Sequence, residues 1–161
     1  MPQTVTAEVI TAMTCDVMDR LLGAAAGFWS SPIPLLEDTM TSIPAALADR
    51  YFGMWNTDDA DARAAIIAET WVDEGSFVDP SFEVSGHDGL SKMVETAHDL
   101  FPGYRFTRTG DIDEHHNRLR WTWELAADGQ PPVAGGTDVV TLHPNGKIIE
   151  VIGFLNFAPA H

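Results

Sequence analysis

The chain has 161 residues and carries 24 Asp+Glu against 9 Lys+Arg, a formal net charge of -15. That length suits one domain with a real core, and 45% apolar with 20% charged residues is globular composition rather than a disordered tail. The negative surface excludes phosphate backbones and anionic lipid as natural partners, so neither nucleic acid nor membrane is expected.

A single cysteine, Cys15, leaves no intrachain disulfide to form. No apolar run approaches the ~20 residues of a bilayer span. The stretch Leu21 to Trp29 resembles a secretory core only loosely, because Glu8, Asp16 and Asp19 precede it where a basic segment belongs. The expectation is a cytoplasmic protein.

Within residues 4 to 29, Val9, Met13, Val17, Leu21 and Leu22 recur at helical spacing, and Ser30-Ser31-Pro32-Ile33-Pro34 reads as a linker. Met40-Thr41-Ser42-Ile43-Pro44 then resembles a fresh amino terminus leading into a capped helix. Residues 1–39 are therefore expected to be a dispensable helical extension, and 40–161 the main domain. The alternative is a helix that packs on the domain or on a second subunit.

Ser42 suits an N-cap and Pro44 a first turn, after which Leu47, Tyr51, Met54 and Trp55 share one helical face. A second helix is expected from Ala60 to Trp71, burying Ala62, Ile66, Ile67 and Trp71 and stopped by Asp73-Glu74-Gly75. Next comes a short strand bearing Phe77 and Asp79 on one face, and a returning strand at Phe82 to Val84. Leu90, Met93, Val94, Ala97, Leu100 and Phe101 mark a third amphipathic helix, ended by Pro102-Gly103.

From Tyr104 onward the pattern is strands and turns: 104–109, 116–125, 133–143 and 148–157, with turns at Gly110-Asp111, Asp128-Gly129 and Pro144-Asn145-Gly146. Leu119, Trp121, Trp123 and Leu125 line one face of the aromatic strand. Three helices followed by an antiparallel meander predict an α+β fold, a cone-shaped curved sheet wrapped over the helices with an apolar cavity inside.

Two carboxylates stand where strands usually avoid them. Asp79 closes a strand before Pro80, and the residues leave a solvated turn and an interior acid both open. Asp138, in Gly136-Thr137-Asp138-Val139-Val140, shares its face with Val140 and Leu142. In a common apolar chamber, desolvation raises carboxyl pKa values and like charge spreads them apart. Tyr51 is placed to offer a phenol, or to be a core aromatic with its hydroxyl satisfied at the rim.

His115-His116 lacks metal-site spacing and reads as an exposed turn, although His116 is close enough to the aromatic strand to swing inward. Without phosphate-binding glycine loops or metal-ligand spacing, no metal and no organic cofactor are expected.

Residues 45 to 158 resemble the nuclear transport factor 2-like superfamily, which includes ketosteroid isomerases, SnoaL-like polyketide cyclases, scytalone dehydratase and limonene epoxide hydrolase. The resemblance is carried by Ala48-Asp49-Arg50-Tyr51-Phe52, Phe77-Val78-Asp79-Pro80, Gly86-His87-Asp88-Gly89-Leu90, Gly136-Thr137-Asp138-Val139-Val140 and Asn145-Gly146-Lys147-Ile148.

What the resemblance implies is a cofactor-free isomerase. Asp79 matches the general base of ketosteroid isomerases, and Tyr51 and Asp138 match the tyrosine and the protonated acid of their oxyanion hole. The cyclases place a working acid on the last strand, where this chain has Ile152-Gly153-Phe154-Leu155-Asn156. The epoxide hydrolases need an Arg-x-Asp where it has Arg120-Trp121-Thr122.

The expected ligand is a small hydrophobic carbonyl compound, steroid- or polyketide-like, with Trp55, Phe77, Met93, Phe101, His116, Trp121, Trp123 and Phe154 as candidate wall residues. The alternative is a non-catalytic module of the same fold that binds an apolar ligand or dimerises. Aliphatic residues on both sheet faces, as at Val139, Thr141, Val151 and Leu155, together with the resemblance, imply a homodimer.

Overall fold

A computed structural model of the protein describes residues 43–159. The expectations for residues 1–39 and for Ser42 as a helix cap lie outside the described residues. The elements run α1 (Ile43–Asn56), α2 (Ala60–Thr70), β1 (Trp71–Val78), β2 (Glu83–Ser85), α3 (Gly86–Leu100), β3 (Tyr104–His115), β4 (Arg118–Ala127), β5 (Ala134–Leu142) and β6 (Ile148–Phe157).

All six strands form one curved, unclosed sheet in the order β2-β1-β6-β5-β4-β3. β3 to β6 make the antiparallel meander, but β1 pairs parallel with β6, with Phe77 opposite Val151 and Val78 opposite Ile152. The sheet is thus mixed. A parallel partner requires a long crossover, and the chain between β1 and β6 supplies it.

Helix α1 buries Leu47, Ala48, Tyr51, Phe52, Met54 and Trp55 against the sheet. Its last residue, Asn56, is tied to β3 by two bonds: Asn56 Nδ2 donates to the Phe106 carbonyl at 2.8 Å, and Phe106 N–H donates to Asn56 Oδ1 at 2.8 Å. The helix end is thereby registered on the sheet. Asp59 caps α2 by accepting from Ala62 N–H at 2.8 Å.

Helix α2 differs from its sequence reading. Ala62 is exposed, and Arg63 is buried in the next position, at 4% exposure. Its guanidinium donates to Ser91 Oγ on α3 and to the carbonyls of Thr57 and Asp58. A charged residue therefore occupies an interior place because it satisfies a loop whose carbonyls have no helix to bond to. Trp71 begins β1 instead of ending the helix, and Asp73-Glu74-Gly75 forms a bulge in β1 where the register with β6 shifts.

Gly110-Asp111 is likewise a bulge within β3, not a turn. Gly110 has φ +68°, a left-handed conformation that glycine adopts without strain, and the register with β4 shifts between Thr109 and Asp113. The hairpin turn falls at His116-Asn117. The sheet's alternation puts Val151 in the core and Leu155 on the same concave side, while Val139 and Thr141 face outward.

Candidate functional site

The concave side of the sheet and the helices enclose a cavity of about 360 Å³. Its wall is mainly aromatic: Tyr51, Phe52 and Trp55 from α1, Phe77 from β1, Phe106 from β3 and Trp123 from β4. Asp79 and Asp138 are its only carboxylates among the described residues, and no Lys, Arg or His lines it.

Asp138 is 2% exposed on β5 and receives three side-chain donors. Tyr51 O–H donates to Oδ2 at 2.8 Å, Trp121 Nε1–H to Oδ2 at 3.3 Å and Trp123 Nε1–H to Oδ1 at 3.1 Å. Burial pushes its pKa up from 3.8 to about 6, against the pull of those donors, and the nearby charge of Asp79 adds to the rise. The Tyr51 phenol is raised well above 10, first by burial and then by the Asp138 charge.

Asp79 follows β1 and is half-buried. Its N–H donates to the Phe82 carbonyl at 2.9 Å, while Oδ1 accepts from Ser81 N–H and Phe82 N–H, each at 2.7 Å. The two readings of Asp-Pro are thus compatible, because the residue opens a turn and also lines the cavity. The turn fixes one oxygen, and the other accepts no hydrogen bond among the described residues.

Two glycines give the acids room. A Cβ on Gly153 would lie 3.0 Å from Asp79 Cβ and 3.2 Å from Asp138 Oδ1, so the pair approaches across a residue with no side chain. A Cβ on Gly136 would stand 2.5 Å from Trp123 Cζ2, which is the space the indole crosses to reach Asp138.

Of the wall residues read from the sequence, Trp55, Phe77, Phe101 and Trp123 line the cavity. Trp121 and Met93 are buried but stand behind the wall, Trp121 with its ring centroid 5.1 Å from that of Tyr51. Phe154 is 58% exposed on the outer face, since alternation along β6 sends Gly153 and Leu155 inward and Phe154 out. His116 is exposed in the β3–β4 turn at φ 54° and does not line the cavity.

Sequence reasoning missed the two indole donors, treating Trp121 and Trp123 only as wall. The signal was present in their i, i+2 spacing opposite Gly136 and Asp138, which are their direct partners across the β4–β5 ladder. It also missed Phe82, Phe106, Leu125 and Ala134 as wall, and Gly153 as spacer. Among the described residues no cluster of three or more His, Cys, Asp or Glu could hold a metal ion, and no helix is long and apolar enough to cross a membrane.

Residues 48–151 match the SnoaL-like domain family. Among solved structures, the chain is similar to a protein of Agrobacterium tumefaciens str. C58, provisionally named an isomerase of the SnoaL-like family. The two are 39% identical with a TM-score of 0.66, over 69% of this chain and 95% of that one.

A provisionally named ketosteroid isomerase of Kribbella flavida DSM 17836 is 17% identical, TM-score 0.54, over 75% of this chain and 83% of that one. A SnoaL-like protein of Jannaschia sp. CCS1, provisionally named a polyketide cyclase, is 17% identical, TM-score 0.55, over 81% and 92%. These two likenesses bear on the fold alone. No curated protein matches the chain significantly. The chain belongs to the SnoaL-like domain family, with the nuclear transport factor 2-like fold.

Proposed function

We propose that the protein is a cofactor-free enzyme that moves a proton alpha to a carbonyl in a small hydrophobic substrate, in the manner of a ketosteroid isomerase. The observation that carries this reading is the meeting of two carboxylates and a phenol in one otherwise apolar cavity. Asp79 is the base: two backbone N–H groups hold Oδ1, which fixes the carboxylate plane and leaves the second oxygen for the substrate's α-proton.

The electron pair left on carbon moves onto the carbonyl oxygen as the double bond shifts, and Tyr51 and Asp138 hold the resulting oxyanion. For that, Asp138 must carry a proton and the phenol must turn from Asp138 to the substrate. With a pKa of about 6, protonating Asp138 at pH 7 costs about 1.4 kcal/mol, and a neighbouring oxyanion lowers that cost. Asp79 then returns the proton to a different carbon, so no cofactor is consumed.

Steady-state isomerisation of a Δ5-3-ketosteroid to its conjugated isomer tests the assignment. Asp79→Asn should lower kcat by ~100-fold or more; a rate unaffected by that change would sink it.

A second reading is a binding module for an apolar ligand. It is favoured by the closure of the polar cluster on itself, since Tyr51, Trp121 and Trp123 all spend their donors on Asp138. Paired phenol and phenolate-like ligands separate the two. An oxyanion hole binds the anionic analogue more tightly than its neutral isostere, whereas a plain apolar pocket prefers the neutral one.

A further inference from the structure

We propose that Trp123 is a positioning residue whose indole N–H, aimed at Oδ1, favours the carboxylate form of Asp138 over the protonated one and thereby lowers the upper pH limit of the reaction proposed above. Trp123 is opposite Gly136 in the β4–β5 ladder, and Asp138 is opposite Trp121. The Trp123 indole therefore reaches diagonally across Gly136 to the next inward-facing residue of β5.

That path exists only because position 136 has no side chain. A Cβ there would lie 2.5 Å from Cζ2 and 2.7 Å from Cε2 of the indole. On its other side the ring meets Phe106 edge-on, with centroids 5.4 Å apart, and Phe106 is itself fixed through both backbone groups by Asn56. The indole is clamped between a bare strand and a registered aromatic, with Nε1 3.1 Å from Asp138 Oδ1.

Among the described residues, the groups that face Asp138 are few. Tyr51 comes from α1, Trp121 and Trp123 from β4, Asp79 from the turn after β1, and β6 contributes only Gly153. Asp79 and Tyr51 are the titratable ones. Each N–H or O–H aimed at the carboxylate favours its ionised form, while burial and Asp79 favour the protonated form. Tyr51 must be released to the substrate during the reaction, so the indoles are the donors that stay. Of these Trp123 makes the shorter bond and lines the cavity.

As far as it concerns activity, the inference rests on the proton-transfer reading; the titration of Asp138 does not. The experiment is carbon-13 NMR of the full chain labelled at aspartate carboxyls, with the Asp138 signal assigned by its loss in Asp138→Asn. Trp123→Phe keeps an aromatic ring and deletes the donor. The Asp138 midpoint is expected to move up from about 6 by roughly 0.5 to 1 pH unit. The alkaline limit of isomerisation should rise with it. An unchanged midpoint overturns the proposal.

Should Trp123→Phe fail to fold, the unsubstituted protein gives the answer through nitrogen-15 indole signals. The Trp123 Nε1–H shift should follow the Asp138 titration, and a shift that stays flat through it overturns the proposal. The two claims fail separately: a displaced midpoint in a protein without isomerase activity removes the reaction and keeps the role of Trp123. An unchanged midpoint in an active enzyme does the reverse.

Discussion

Asp138 makes a strong prediction about stability. In the folded protein its pKa is about 6 against an ordinary 3.8, chiefly because it is buried. Between those two values the folded state holds a proton that the unfolded chain has released. Stability from this group is therefore fully present below pH 3.8 and is lost as pH rises through about 6. The displacement corresponds to ~3 kcal/mol.

Asp138→Asn removes the titration. The asparagine also presents an NH2 to one of the three donors, which adds an offset that does not vary with pH. Urea denaturation of both proteins from pH 4 to 7.5 isolates the effect, because every other carboxylate is common to the two. The difference in unfolding free energy, wild type minus variant, should fall by ~2.5 kcal/mol across that range, the rest of the effect lying below pH 4. A difference independent of pH would refute the reasoning, since it would mean that Asp138 does not hold its proton in the folded state any longer than in the unfolded one.

Other outcomes follow from the same geometry. Gly153→Ala forces a methyl between Asp79 and Asp138 at 3.0 and 3.2 Å. It should cost ~1–3 kcal/mol and weaken binding of any apolar cavity ligand, as read by quenching of tryptophan fluorescence. Arg63→Met should lose ~2–4 kcal/mol in urea denaturation, because it leaves the carbonyls of Thr57 and Asp58 without their donor; a neutral result would mean that water replaces the guanidinium there. We further propose that the outward apolar strip of Val139, Ile152 and exposed Phe154 is a homodimer face. Phe154→Glu should then convert a dimer to a monomer in sedimentation, and an unsubstituted protein that sediments as a monomer would count against it.

Much of this architecture was legible in the sequence because periodicity reports burial directly. The aromatic face of α1 and the alternation of β4 fell where they were expected, as did the face shared by Asp138 and Val140. What periodicity does not report is pairing. Gly110-Asp111 reads as a turn from composition, yet a glycine at φ +68° serves a bulge equally well. Only the strand's partner decides which.

Arg63 was hidden for a related reason. Its interior place depends on carbonyls in a loop that the helix pattern does not describe. The indole donors of Trp121 and Trp123 were hidden because an aromatic stripe looks the same whether its rings merely pack or also donate. Phe154 and His116 were misplaced by one strand alternation and by one turn, respectively. For His116 the end of the strand decides, whereas for Phe154 it is the register shift between β5 and β6 at Thr141 and Leu142, which moves the inward face from Ile148 to Val151, Gly153 and Leu155.

Proton transfer by Asp79 inside this cavity is read out by hydrogen exchange. A β,γ-unsaturated ketone of steroid size is incubated with the protein in D2O, and deuterium at the α and γ carbons is followed by NMR. Enzyme-dependent exchange or transfer at those carbons is expected in the unsubstituted protein, lost in Asp79→Asn while the ketone still binds. Exchange at the uncatalysed rate in the unsubstituted protein, with the ketone bound, would contradict it.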